Sequence, residues 1–219
     1  MIALDCDDRF ATWRDQARVL LGHGIDPSQV TWSQGPMADL LAVPASPPEG
    51  PGPFRAKVPA ALLDQLEQAA RYCGEQRWNL LYEVLWRVAH GDRTAMLAGD
   101  RLGSELQRRI KQVSREAHHL HAFVRFVPLP EALAERLQLD LVAYHEPAHD
   151  ILESASPHFA DRLGRLRWLI ATPQDGIRFD GQVFDYQRRC PERWQQWARN
   201  AEDPGAELWR TYYRHTFNP

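Results

Sequence analysis

Residues 101–121 constrain this chain more than any other stretch. Leu102, Leu106, Ile110, Val113, Ala117 and Leu120 step by four, four, three, four and three positions. Only an α-helix returns side chains to one face at that interval. Asp100 stands where an N-cap belongs, so the spacing predicts one long amphipathic helix whose apolar stripe the rest of a domain must cover. At 100° per residue, Arg101, Arg108, Lys111, Arg115, His118 and His119 cluster opposite that stripe with no acid among them. Glu105, Arg109 and Glu116 fall on one flank.

The remaining elements are read against this helix. Ile2 to Leu4 is a short apolar run, and Asp7 and Asp8 are N-cap candidates for a helix carrying Phe10, Trp13, Ala17 and Leu20. Gly22 and Gly24 end that helix, and Val30 to Trp32 makes a second strand. A crossover of that length permits parallel pairing. Residues 36–59 hold Pro36, Pro44, Pro47, Pro48, Pro51, Pro53 and Pro59; proline fixes φ and lacks an amide donor, which marks a loop or linker. Two further helices follow, from Ala60 to Cys73 and from Trp78 to Ala89. Beyond the long helix the pattern changes to short β-prone runs at 123–127, 139–145, 167–171 and 177–179, with a helix starting at Ser156-Pro157 and running to about Leu163. A last helical stretch begins near Cys190. The expected class is α+β, with a small antiparallel sheet packed against several helices and an N-terminal strand-helix-strand unit. The expected division is a unit at 1–35, a Pro-rich linker at 36–59 and a main domain at 60–219.

Composition narrows the function classes. The chain has 219 residues, 26 basic and 29 acidic, a net charge of −3. No apolar stretch approaches the roughly 20 residues that span a membrane, and the acidic N-terminus is unlike a signal peptide. Three scattered cysteines, Cys6, Cys73 and Cys190, imply neither a disulfide framework nor a cysteine metal site. A cytoplasmic, reducing compartment is expected, with no membrane partner. The near-neutral sum hides a gradient: residues 101–125 carry six bases against Glu105 and Glu116. All the basic residues except Lys57 and Lys111 are arginine, the side chain that grips phosphate bidentately.

Several motifs bear on chemistry. His145-Glu146-Pro147-Ala148-His149 has the letters of a zinc-hydrolase H-E-x-x-H motif, which works only on a helix. Here it follows a strand, and Pro147 disfavours helical geometry at Glu146, so the match is read as accidental. His118, His119 and His121 diverge around the helix, so no more than two can face one ion. No metal site and no cofactor are expected. Arg125, within Phe-Val-Arg-Phe-Val, needs a partner or an open face. Arg193, Trp194, Trp197, Trp209, Arg210, Tyr212, Tyr213, Arg214 and Phe217 interleave rings with cations near the C-terminus; such mixtures stack on bases, but their helical spacing favours core packing. A phosphate-binding glycine loop, a G-x-S-x-G and a radical-SAM cysteine triplet are all missing from the sequence.

The second half carries a resemblance. Arg-Glu-Ala-His-His-Leu-His-Ala-Phe-Val-Arg-Phe at 115–126, Tyr144 to His149, Phe159-Ala-Asp-Arg162, Arg167-Trp168, Thr172-Pro173, Phe179-Asp180-Gly181 and Leu208 through Asn218-Pro219 follow in order. From about Trp78 onward the chain resembles a bacterial family of unknown biochemical function assigned to DNA metabolism or DNA repair. Its members occur beside a radical-SAM protein or fused ahead of a uracil-DNA glycosylase domain. The resemblance implies DNA as a partner, together with a radical-SAM protein or a glycosylase domain. It also implies further chain after the Asn-Pro motif. No Gly-Glu-x-Pro-Gly or His-Pro-Ser glycosylase motif lies within these residues.

The reading that follows is a DNA-repair or DNA-metabolism accessory domain that binds nucleic acid or docks a repair enzyme. Arg101, Arg108, Lys111, Arg115, His118, His119 and Arg125 are the expected nucleic-acid contacts. One alternative is an enzyme acting on damaged DNA or nucleotides through Glu116, His118 and His149 as an acid/base or metal cluster. The other is a protein-interaction module for the radical-SAM or glycosylase partner.

Overall fold

The computed structural model describes residues 1–33 and 47–202. The chain divides into two compact units, Met1–Arg115 and Glu116–Pro219.

In the first unit, strand β1 (Ile2–Asp5) pairs in parallel with β2 (Val30–Ser33), Ile2 opposite Val30 and Leu4 opposite Trp32, through helix α1 (Phe10–Gly22). The expected caps Asp7 and Asp8 are not the N-cap of α1. They adopt left-handed φ values of 50° and 53° just before it, and Arg9 occupies the cap position. Helices α2 (Ala60–Ala69) and α3 (Arg77–Ala89) pack on this unit, and α4 (Arg101–Phe123) begins within it. Helix α2 stops at Ala69, short of the expected Cys73, which is exposed.

One apolar core joins these pieces. Trp13, fully buried, stacks on Trp78 with ring centroids 6.0 Å apart and tilts against Trp32 at the same distance. Leu62, Leu66, Leu81 and Leu106 are fully buried in the same cluster. The strand-helix-strand unit and the helices after the Pro-rich segment therefore share a single core, and that segment does not separate two domains. Part of it, residues 34–46, lies outside the described residues. From Pro47 on it runs against the end of α1: the Phe54 amide donates to the Gly22 carbonyl at 2.9 Å. Two glycines make that approach possible, because a Cβ on Gly52 would lie 2.1 Å from Gly22 backbone atoms.

The second unit holds a five-stranded sheet. Its strands, in sequence and in spatial order, are β3 (Val127–Pro128), β4 (Leu141–Tyr144), β5 (Trp168–Ala171), β6 (Gly176–Phe179) and β7 (Phe184–Gln187). The sheet is antiparallel at β3–β4, β5–β6 and β6–β7, whereas β4 and β5 run parallel. That parallel step is bridged by α6 (Leu152–Ala155) and α7 (Pro157–Leu163), which supply the crossover such a pair requires. Helix α5 (Glu131–Leu137) joins β3 to β4, and α8 (Glu192–Arg199) follows β7.

Pairing fixes which side chains share a face. Trp168, Phe179 and Phe184 stand opposite one another across three strands, and Phe159 of α7 meets Trp168 edge-on at 6.1 Å. On the other face Val142, Leu169 and Ala171 form a core with Trp194 and Ala198 of α8. Trp194 is thus a core residue. The Trp209, Arg210, Tyr212, Tyr213, Arg214 and Phe217 cluster lies outside the described residues.

The strand expected at 123–127 is shorter. Helix α4 continues to Phe123, with the Val124 amide still donating to Leu120 at 3.0 Å, and only Val127–Pro128 pairs in the sheet. Arg125 accordingly sits in the loop between α4 and β3 rather than within a strand. Among the described residues, no helix is long and apolar enough to cross a membrane.

Candidate nucleic-acid interface

Helix α4 starts where the sequence places it. Asp100 accepts from the amides of Leu102 at 2.8 Å and Gly103 at 3.2 Å, satisfying two of the donors that a helix start leaves open. The same carboxylate takes two bonds of 2.9 Å from Arg87, and these hold its pKa below the ordinary range. Leu102, Leu106 and Val113 are buried. The opposite side is therefore turned outward: Arg101, Arg108, Lys111 and Arg115 are all exposed.

The cations on that side are not equivalent. Glu105, placed on the flank by the helical wheel, reaches round to Arg108 with two bonds of 2.6 Å and to the Nε of Arg109 at 2.7 Å. Those bonds, Arg108's first, hold the Glu105 pKa down to about 2. Tyr72 lies beneath both guanidinium groups, its ring centroid 5.3 Å from Arg108 and 4.9 Å from Arg109. Arg108 is therefore already neutralised, and Arg109 is buried. Arg101, Lys111 and Arg115 make no ion pair among the described residues. The spacings Glu105 to Arg108 and Glu105 to Arg109 are the helical i,i+3 and i,i+4 pairs, so this pairing was available from sequence.

In the second unit, His118 and His119 are exposed on the last turns of α4. His119 meets the Phe123 ring edge-on at 5.8 Å. Glu116 and His118, two residues apart on one helix, point about 200° apart around its axis, so the Glu116, His118 and His149 cluster does not form on one side of α4. Instead Glu116 Oε1 accepts from the Ala148 amide at 2.6 Å, and Oε2 is buried without a partner among the described residues. The group brought beside Glu116 is His145. Burial lowers its pKa, while the Glu116 and Glu146 carboxylates pull it back upward. His145 and His149 lie in a loop, not on a helix; the His145 amide extends the sheet by donating to Ala171 at 3.1 Å. The zinc-hydrolase geometry is absent, and among the described residues no group of three His, Cys, Asp or Glu is arranged to hold a metal ion. Arg125 is half-buried.

A family model described as a domain of unknown function (DUF4130) matches residues 75–219. No curated protein and no solved structure matches the chain.

Proposed function

We propose that this chain, which belongs to the DUF4130 family of domains of unknown function, is an accessory domain of DNA repair or DNA metabolism that binds nucleic acid through the outer side of α4. The observation that carries the reading is the set Arg101, Lys111 and Arg115: exposed cations on one side of a rigid helix, none of them consumed by an ion pair among the described residues. Such a row can follow a phosphate backbone with salt-dependent affinity and little sequence information. The resemblance of the chain from about Trp78 onward to proteins of DNA metabolism supplies the DNA context, and with it a radical-SAM protein or a glycosylase domain as the working partner. Three free cysteines suit the reducing interior of a cell. The enzyme alternative has less support, because Glu116 and His118 leave α4 on opposite sides.

The test is a titration of labelled duplex DNA in a salt series with wild type and the Arg101→Glu/Lys111→Glu/Arg115→Glu variant. Binding that falls steeply with salt and is lost in the folded variant supports the reading. Wild-type protein that binds no DNA at low salt refutes it.

A further inference from the structure

A second surface, confined to the unit Glu116–Pro219, has the makings of a stacking site. Leu166, Val183 and Phe184 are large apolar side chains exposed to 44%, 65% and 38%. Leu166 precedes β5, Val183 precedes β7 and Phe184 opens it, and the register puts these strand starts at the same end of the five-stranded sheet. Strands β6 and β7 form a hairpin with Phe179 opposite Phe184, and the Asp180 carboxylate closes its turn by accepting from the Gln182 and Val183 amides at 2.8 Å each. Gly181 in that turn has φ of 99°, and a Cβ there would lie 2.8 Å from the Arg165 carbonyl oxygen. The glycine brings the turn down onto the Arg165–Leu166 segment.

Phe184 is held from the inside. Its ring lies 4.9 Å from that of Phe179 and 6.0 Å from that of the fully buried Trp168. A ring fixed on its inner side and open on its outer side is what an unpaired nucleobase needs for stacking. Charges at the end of α7 and in the connection to β5 fit the same ligand. Arg162 and Arg165 are exposed and make no ion pair among the described residues, whereas the neighbouring Arg167 is tied to Asp140 at 2.6 Å. Of the local carboxylates, Asp180 is committed to the turn, and Asp185 lies on the opposite face of β7 from Phe184, where it takes a bond from Gln187. Asp161 alone on α7 opposes the two arginines.

We infer that this corner binds single-stranded nucleic acid, with one unpaired base on Phe184 and the flanking phosphates on Arg162 and Arg165. The inference rests on the nucleic-acid reading above and adds a strand state and a second contact surface. A duplex keeps its bases stacked inside and offers nothing to Phe184. Addition of a protein strand to β7 is disfavoured by the shortness of that strand and the charge it carries, which protect sheet edges.

The experiment titrates labelled oligothymidylate and a duplex of equal length into the full chain across a salt series. Phe184→Leu keeps the apolar packing and removes the stacking face; it is expected to weaken oligothymidylate about 10-fold without changing the salt slope or the duplex affinity. Phe184→Tyr restores the ring and the binding, and guards against a Leu variant that fails to fold. Arg162→Gln/Arg165→Gln is expected to reduce the single-strand salt slope by about 1.4. Single-strand binding untouched by Phe184→Leu and by Arg162→Gln/Arg165→Gln overturns this site and leaves the α4 reading standing. Wild type that binds neither ligand overturns both. Wild type that binds no oligonucleotide but self-associates, with Val183→Asp returning it to monomer, identifies a second copy of the chain as the occupant and also overturns the site.

Discussion

His121 and His158 stand ring to ring, their centroids 4.1 Å apart and their planes 24° from parallel. His121 also bonds the Ala155 carbonyl at 3.0 Å, fastening the end of α4 to α6 and α7 within the second unit. Burial lowers the His121 pKa from its ordinary 6.5; the Ala155 bond opposes this, and the His158 and His118 charges add to it. The folded state therefore binds this proton less readily than the unfolded chain. Stability from His121 is complete above pH 6.5 and declines as pH falls below it. His145, lowered by burial in the same way, acts in the same direction. Thermal melts between pH 7.5 and 5 should show a falling midpoint, and His121→Gln, which keeps a donor for Ala155, should flatten that fall. A midpoint independent of pH in the wild type would contradict the assignment.

Glu105 restrains the surface it stands beside. Replacing it by Gln removes the charge that binds Arg108 and the buried Arg109. The Arg109 guanidinium, 8% exposed, loses its counter-charge, and a loss of about 2 kcal/mol in folding stability is expected. Arg108, 45% exposed, is at the same time released toward solvent. Glu105→Gln should thus lower the urea midpoint and strengthen low-salt DNA binding, an opposition that a merely damaged protein would not show. Weakened DNA binding in the folded variant would argue against the α4 surface.

How much of this was legible in the sequence depends on the range of the forces involved. Helix α4 was, because its apolar spacing repeats over about five turns, and the exposed cations followed from the same wheel. The parallel β1–β2 pair was legible from the helix between the strands. The run Phe123 to Val127 misled, since its β-prone residues say nothing about the Val124 amide continuing the helical ladder. The parallel step between β4 and β5, the packing of Phe184 against Trp168, and the burial of His145 beside Glu116 are set by residues from different elements. No local pattern encodes them. The Glu105 pairing is the opposite case, a local i,i+3 signal outweighed by the count of positive charges.

Gly52 and Gly103 make the two tightest backbone approaches among the described glycines of the first unit, and that of Gly52 holds the Pro-rich segment. Alanine there would place Cβ 2.1 Å from the Gly22 backbone, and both partners are main chain, which cannot rotate away. Gly52→Ala should therefore push the Pro-rich segment off α1, lengthen the bond from the Phe54 amide to Gly22, and expose Phe54 from its 5.1 Å stack on His90. A loss of about 1–3 kcal/mol is expected, the range for overpacking a filled site. Gly99→Ala, in open space and without a left-handed φ, is the control for crowding. Equal melting of the two variants would contradict the close approach.

Arg77 and Asp8 offer the sharpest test of how the first unit holds a buried charge. The Arg77 side chain is 4% exposed; its Nη2 lies 2.5 Å from Asp8 Oδ1, and its guanidinium carbon is 4.4 Å from the Trp78 ring centroid. Asp8 itself is half-exposed, and its carboxylate also accepts from Trp78 Nε1 at 3.4 Å. Removing only the acid strands a guanidinium in a low-dielectric pocket whose Nε already lacks a partner among the described residues. Replacing the base by an apolar side chain of similar length removes the charge that needs solvation. Asp8→Asn, which removes the charge and still suits the left-handed φ at that position, is therefore expected to destabilise by about 2 kcal/mol, and Arg77→Met by less. In the double variant most of the Asp8→Asn loss should vanish, a coupling that urea denaturation of the four proteins measures directly. Additive losses would mean that the pair contributes no mutual stabilisation and that Arg77 is held by its stack on Trp78 and its contact with Cys73 Sγ.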